Sequence, residues 1–284
     1  MLTTRQALTW AKQQLISVTD TPMLEAEVLL AHVLEVSRAH LYAWPETQLT
    51  ASQSTQFTCA TKRRVAGEPV PYITGYGEFW SLELMVTADT LIPRPETELL
   101  VECLLAQLGP EARVADLGTG TGAVALALAS VRAQWLVCAT DNSNAALIVA
   151  KCNAQRLGLA NIEFRQGDWC GALPVPSRFH ALVSNPPYLG EGEWATYAEG
   201  LKFEPRSALV SGQDGLDAIQ EIIIDGKDYL ESGGYVMIEH GFMQGVAVRD
   251  LFKASGYQEV VSFRDLGGRE RVTSGRYYRP KLLF

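Results

Sequence analysis

The sequence predicts an α/β protein: a mostly parallel seven-stranded sheet covered by helices and ended by an antiparallel hairpin, with a small helical bundle before it. Three observations lead there. From about Leu91 onward, short apolar strands alternate with helical stretches. The last two strand candidates have no helix between them, only the turn around Asp265-Leu-Gly-Gly268. The first 65 or so residues show apolar spacing of helical period alone.

Taken in order, the opening MLTTRQALTWAKQQLISV repeats apolar residues at helical spacing and lacks the continuous apolar core of a signal peptide. Asp20 or Thr21 can cap a helix opened by Pro22, along which Met23, Ala26, Leu29, Leu30, Val33 and Leu34 form a stripe. Thr50 can cap another helix running to about Ala66 and stopped by Gly67 and Pro69. In its last turn Lys62-Arg63-Arg64 complements the helix dipole. The segment PVPYITGYGEFWSLELMV then changes character: its Pro and Gly residues break helix, and Phe79–Val86 has strand composition. It reads as a linker plus a short hairpin. The expected division is a helical part over residues 1–72, linker and hairpin over 73–90, and the sheet domain over 91–284. Candidate strands are Arg113–Leu117, Trp135–Thr140, Ile162–Gln166, Ala181–Ser184, Gly234–Glu239, Gln258–Phe263 and Arg271–Tyr278.

Composition narrows the function classes. With 284 residues, 47% hydrophobic and 20% charged, the chain matches an ordinary globular protein able to bury a core. No apolar run approaches the ~18 residues that cross a bilayer, so a cytoplasmic protein with no membrane partner is expected. The five cysteines are scattered, without a CxxC pair or nearby histidines, which points to reduced thiols rather than disulfides or zinc. His240 stands beside Glu239, but strand neighbours point to opposite faces, so no metal site is expected. The net charge is −8. Neither part of the chain shows the basic excess needed to hold phosphate backbones, so no direct nucleic-acid partner is expected.

Val114-Ala115-Asp116-Leu117-Gly118-Thr119-Gly120-Thr121-Gly122 is a strand entering a glycine-rich turn, with a helix expected over Ala123–Ala129. Such a turn admits a ligand close to the backbone, and the helix N-terminus offers N–H donors. Gly118-x-Gly120-x-x-Ala123 also satisfies a loose dinucleotide fingerprint. Asp116 separates the alternatives: a carboxylate there repels a pyrophosphate but favours the ammonium and sulfonium of S-adenosylmethionine. Asp141 ends the second strand, where an acid can accept from both ribose hydroxyls of either cofactor. After the third strand, Asp168 and Trp169 either hold an adenine by hydrogen bonding and stacking, or start a turn and fill core.

The strand Ala181–Ser184 runs into Asn185-Pro186-Pro187-Tyr188. The lone pair of an amide-like nitrogen is delocalised, so methylating an sp² amino group calls for two acceptors in the NH₂ plane, which orient it and stabilise the developing charge. The Asn185 side-chain oxygen and the Pro186 carbonyl can supply them. Pro187 has no N–H to compete, and Tyr188 can stack on the planar group. No strong base is required, because the nitrogen becomes acidic only once methylated.

These residues resemble the release factor glutamine methyltransferases, the HemK/PrmC family, over nearly the whole chain. The resemblance rests on Pro71–Gly75, Leu91–Glu98, Asp116–Gly122, Asn153–Gly158, Asn185–Tyr188, Phe203–Arg206 with Ala208-Leu209, Glu239–Gly241 and Asp265–Val272, in order and spacing. It implies a Rossmann-like class I methyltransferase sheet and an N-terminal domain that helps hold the substrate. It also implies S-adenosylmethionine as cofactor, with S-adenosylhomocysteine as product, and the glutamine of the Gly-Gly-Gln loop in class 1 peptide chain release factors as the methylated group. The same resemblance gives Gly118, Thr119, Gly120, Thr121, Gly122, Asp141, Trp169 and Asn185 to the cofactor, and Asn185, Pro186, Pro187 and Tyr188 to the glutamine. Pro93-Arg94-Pro95-Glu96 either borders the active site or is a rigid connector. Variation is expected at Trp80-Ser81 and in the tail 277–284. The alternative activity is methylation of an adenine amino group in nucleic acid, which poses the same chemical problem but requires a phosphate grip that is not found.

Overall fold

Side-chain caps start most helices of the first 76 residues. In the computed structural model, which describes residues 2–176 and 178–279, α1 (Thr4–Leu15) opens on a reciprocal cap between Thr3 and Gln6. Next, α2 (Pro22–Leu34) begins with proline at its first position, and the side chain of its N-cap Thr21 makes no capping bond to the helix, so the rigid φ of Pro22 replaces the expected cap. Ser37 caps the short α3 (Arg38–Ala43). Thr50 and Gln53 form the capping box of α4 (Ala51–Val65), whose last turn carries Lys62, Arg63 and Arg64. Two of these cations are paired, Arg64 with Glu25 at 2.7 Å and Arg63 with Glu68 at 2.5 Å. Ala7, Leu15, Leu29, Leu30 and Phe57 fill the core of this unit.

One expectation fails here. Val70–Thr74, read as linker, is a fifth helix, α5, with a proline in its first turn and Gly75 in the left-handed region closing it. Prolines that break a helix interior are tolerated at its start, and position decides which effect operates.

The chain separates into two compact units, Met1–Tyr76 and Gly77–Phe284. At the boundary, β1 (Tyr76–Phe79) pairs with β2 (Leu82–Met85) through a tight turn whose residues Trp80 and Ser81 both have positive φ. The Trp80 N–H donates to Glu98 Oε1 at 2.7 Å, fixing the turn to the first residue of α6 (Glu98–Gln107).

The second unit continues with β3 (Arg113–Leu117), α7 (Ala123–Val131), β4 (Leu136–Asp141), α8 (Asn144–Leu157), β5 (Ile162–Gln166) and β6 (Phe179–Ser184). It finishes with α9 (Glu191–Leu201), α10 (Asp217–Gly226), β7 (Leu230–Glu239), α11 (Gly245–Ala254), β8 (Gln258–Arg264) and β9 (Glu270–Tyr277). The tail 280–284 lies outside the described residues. The sheet order is β5-β4-β3-β6-β7-β9-β8, parallel except for β9, which pairs antiparallel with both neighbours. This is the seven-stranded sheet with a terminal hairpin that the sequence predicts. β6 and β7 begin earlier than expected because their register shifts between Phe179 and Ala181, opposite the Gly233-Gly234 stretch that resembles a turn.

Both faces of the central strands β3, β4 and β6 are buried, which is why these strands are mostly apolar, whereas the edge strands β5 and β8 are polar and partly exposed. Val114, Val183 and Met237 pack towards the cluster containing α6 and α7. Leu117, Leu182 and Ile238 pack towards Ile219 and Ile222 of α10 and Phe252 of α11. From β3 the chain winds one way to β4 and β5, and from β6 the other way to β7. The crevice at the C-terminal ends of β3 and β6 follows from that reversal. Among the described residues no helix is long and apolar enough to cross a membrane.

Candidate active site

A cavity of about 310 Å³ opens at this crevice. Its walls come from the β3–α7 turn, the end of β4, the loop after β5, the loop after β6, and the segments 88–97 and 205–208. Of the residues singled out from sequence, Asp116, Gly118, Thr119, Gly120, Thr121, Asp141, Asp168, Trp169, Asn185 and Pro187 line it. Gly122, Pro186 and Tyr188 are not part of that lining. So does the N-terminal half of Pro93-Arg94-Pro95-Glu96 line the cavity, through Pro93 and Arg94.

Most amides of the glycine turn itself are already engaged within the protein. Gly118 and Thr119 N–H both donate to the Thr140 carbonyl, at 2.9 and 2.8 Å, and Gly122 N–H donates to Thr119 O at 2.8 Å. Gly120 N–H donates to Asp141 Oδ2 at 2.9 Å. Gly118, Gly120 and Gly122 all have positive φ, and a Cβ on Gly118 would sit 2.9 Å from the Trp169 ring. With four of its amides satisfied inside the protein, the turn holds a fixed shape that admits close approach of a ligand.

Carboxylates are what the turn presents instead. Asp116, on the α7 face of β3, is fully buried and accepts from Thr119 Oγ1 at 2.6 Å and from the Ala125 N–H at 3.2 Å. Burial pushes its carboxyl up to about 6, against the pull of those two bonds. Asp141 accepts from Gly120 and, through Oδ1, from the Ser143 N–H at 2.9 Å, and burial raises it as well. Its two oxygens retain lone pairs for further donors. Such an acid set suits a ligand carrying an ammonium and vicinal hydroxyls. Asp168 is held by Asn142 Nδ2 at 3.2 Å, and Trp169, at positive φ, packs on Gly118 while still facing the cavity.

Across the crevice, Ser184 Oγ donates to the Leu117 carbonyl at 2.6 Å, locking the end of β6 to the end of β3. The next residue, Asn185, donates through Nδ2 to Thr97 Oγ1 at 3.0 Å. An amide whose NH₂ is engaged in this way keeps its oxygen for another donor. Pro186 is buried. The Tyr188 carbonyl accepts from Gln244 Nε2 at 3.0 Å, and its phenol is driven to high pKa by burial and by nearby Glu239. A Cβ on Gly215 would lie 2.1 Å from the Tyr188 carbonyl oxygen, so only glycine permits this approach.

Several of these supports escaped sequence reasoning. Thr97, Glu204 and Asn153 all sit inside the matched stretches, yet residue type gave them no role. Asn153 is buried and bonds to both Met85 backbone groups and to the Thr121 carbonyl, joining β2 to the glycine turn. Glu204 pairs with Arg94 at 2.5 Å and accepts from the Ile92 N–H at 3.2 Å, tying together two walls of the cavity. Gly215 and Gln244 carried no signal, because their partner is a backbone carbonyl distant in sequence. As for His240, its ring bonds to Gly241 O and Thr273 Oγ1 while Glu239 points to the other face.

A doubly wound sheet with a reversed β9, ending at an acid-walled cavity, defines a Rossmann-like class I methyltransferase. The comparisons agree and go further. Residues 6–75 match the PrmC N-terminal domain and residues 94–201 the methyltransferase small domain. The chain is 49% identical to the release factor glutamine methyltransferase of Coxiella burnetii, over 97% of this chain and 99% of that protein. It is 44% identical to that of Escherichia coli K12, over 95% and 98%. Among solved structures, a methyltransferase from Pyrococcus furiosus superposes with a TM-score of 0.52 at 15% identity, covering 81% of this chain and all of that one. The chain belongs to the release factor glutamine methyltransferase family.

Proposed function

We propose that this enzyme transfers the methyl group of S-adenosylmethionine to the side-chain amide nitrogen of the glutamine in the Gly-Gly-Gln motif of class 1 peptide chain release factors. The carrying observation is the Asn185 amide, placed at the cavity wall with its nitrogen engaged by Thr97. Bound beside it, S-adenosylmethionine supplies an electrophilic methyl on a sulfonium. Asp141 accepts from the ribose hydroxyls, Asp116 offers negative charge towards the ammonium, and Trp169 with Asp168 flanks the adenine.

The rest of the chemistry belongs to the Asn185–Tyr188 loop. Asn185 Oδ1 and the Pro186 carbonyl accept the two hydrogens of the glutamine NH₂, holding its plane so that the nitrogen meets the methyl carbon in line. When bound, S-adenosylmethionine would give its methyl to that nitrogen and leave as S-adenosylhomocysteine, and these two oxygens would stabilise the positive charge on nitrogen. One N–H proton would then pass to solvent water, giving the neutral N-methyl amide. Pro187 keeps a competing donor out of the loop, and Tyr188 backs the planar group. The substrate is protein, without direct nucleic-acid contact, and the setting is the cytoplasm, where release factors act.

The test is mass spectrometry of the Gly-Gly-Gln tryptic peptide from a release factor incubated with enzyme and S-adenosylmethionine. One added methyl group on the glutamine supports the reading. An unmodified peptide, with label incorporated instead into duplex DNA, would overturn it.

A further inference from the structure

β7 ends in a carboxylate that the chemistry above does not use. Glu239 is 1% exposed, and its Oε2 has no hydrogen-bond partner among the described residues. Such an atom is costly to bury and calls for an explanation. Around Glu239 stand the hydroxyls of Thr97, ahead of α6, and Tyr188, after β6, with the Arg271 guanidinium from β9 and the Glu96 carboxylate beside Thr97. Thr97 is the same hydroxyl that receives Asn185 Nδ2.

A hydroxyl has one hydrogen to donate, and an ionised carboxylate only accepts. Thr97, having accepted from Asn185, is left with a hydrogen to direct at Glu239. The run from Asn185 through Thr97 to Glu239 thus has a single polarity while Glu239 is ionised, and it reserves Oδ1 as the free acceptor of Asn185. Protonating Glu239 allows the run to reverse. The acid then donates to Thr97 Oγ1, the Thr97 hydrogen turns to Asn185 Oδ1, and the amide presents NH₂ to a substrate that also offers NH₂.

We infer that Thr97 and Glu239 are positioning residues whose hydrogen-bond polarity decides which end of the Asn185 amide meets the substrate. The catalytic consequence rests on the glutamine-methylation reading; the Asn185–Thr97 bond and the unpartnered Glu239 oxygen do not. Burial pushes the Glu239 carboxyl up to about 7, with Thr97, Arg271 and Tyr188 pulling it down and Glu96 pushing it further up. The reversal therefore falls inside the working pH range, with the active polarity on the alkaline side.

Two readouts on the full chain test this. In the first, the side-chain NH₂ resonances of Asn185 in the ¹⁵N-labelled protein without cofactor are followed between about pH 5.5 and 8.5, a window set around that carboxyl. A transition near 7 is expected, lost in Glu239→Gln and in Thr97→Val and kept in Thr97→Ser. In the second, release-factor methylation by Thr97→Val is expected to lose about tenfold or more in kcat, with cofactor Kd within about twofold of the parent, and Thr97→Ser to restore it. The acid limb of the kcat profile is expected to vanish in Glu239→Gln. A flat Asn185 resonance in the parent protein, or a transition that survives Thr97→Val, would overturn the inference. So would equal losses of kcat, cofactor affinity and melting temperature in Thr97→Val without rescue by Thr97→Ser. If the transition behaves as expected but the parent enzyme leaves release factors unmethylated, the functional reading fails and the hydrogen-bond run stands.

Discussion

The two loops that face each other across the crevice solve opposite problems. The glycine turn after β3 satisfies its own amides, at Thr140, Thr119 and Asp141, and gains a fixed shape with acids at its rim. The Asn185–Tyr188 loop after β6 is held by groups distant in sequence, Thr97, Gln244 and the close approach of Gly215, and nearby Glu239 is a buried carboxylate with one oxygen unpartnered among the described residues. A cofactor that arrives preformed needs a rigid cradle. A reacting nitrogen needs acceptors aimed at charge that exists only during the reaction, and those require external support.

If that division holds, variants on the two sides should separate into rate and affinity effects. The largest is expected from Asn185→Ala, which removes a loop acceptor and no core: kcat should fall about a hundredfold or more with little change in melting temperature. Single-turnover methylation checks this, and near-parental turnover would break the comparison. On the cradle side, Gly118→Ala forces a Cβ to 2.9 Å from the Trp169 ring at φ +74°. Cofactor affinity, read by calorimetry, should drop about tenfold or more as the turn is strained. Asp141→Ala, which releases both Gly120 and Ser143, should weaken affinity by roughly tenfold, the scale of one or two charge-assisted bonds. An unchanged Kd would remove Asp141 from the cradle.

Smaller effects should follow pH. Cofactor affinity is expected to fall as pH drops through about 6, where Asp116 takes up a proton, and Asp116→Asn should flatten that dependence at a lower overall affinity. The stability effect runs the other way. A carboxyl whose folded pKa is raised binds more protons folded than unfolded, so its contribution is full below the unfolded value of 3.8 and is lost as pH rises through about 6. For Asp116 this amounts to at most about 3 kcal/mol. Denaturant titrations of the protein without cofactor at pH 5 and 7.5 should show a loss with rising pH, smaller in Asp116→Asn.

How much of this was legible follows from the same contrast. The sheet, its terminal hairpin and the glycine turn could be read because their signals are local: apolar runs, a strand entering Gly118-x-Gly120, a turn with no helix after it. The chemical loop could be located from Asn185-Pro-Pro-Tyr188 for the same reason. Its supports could not, since Thr97 and Asn185 are 88 positions apart and a threonine in a helix entry looks like any cap. That Thr140 and Asp141 occupy the amides of Gly118, Thr119 and Gly120 could not be read from sequence, because those bonds cross from the neighbouring strand. The helix Val70–Thr74 was hidden by prolines whose meaning depends on whether they open a helix or interrupt one.

The most direct test is a crystal structure of the chain with S-adenosylhomocysteine and a Gly-Gly-Gln peptide. Asn185 Oδ1 and the Pro186 carbonyl oxygen should each lie about 3 Å from the glutamine nitrogen, hydrogen-bond range, with that nitrogen facing the cofactor sulfur. A complex in which those oxygens turn away from the glutamine would contradict the account.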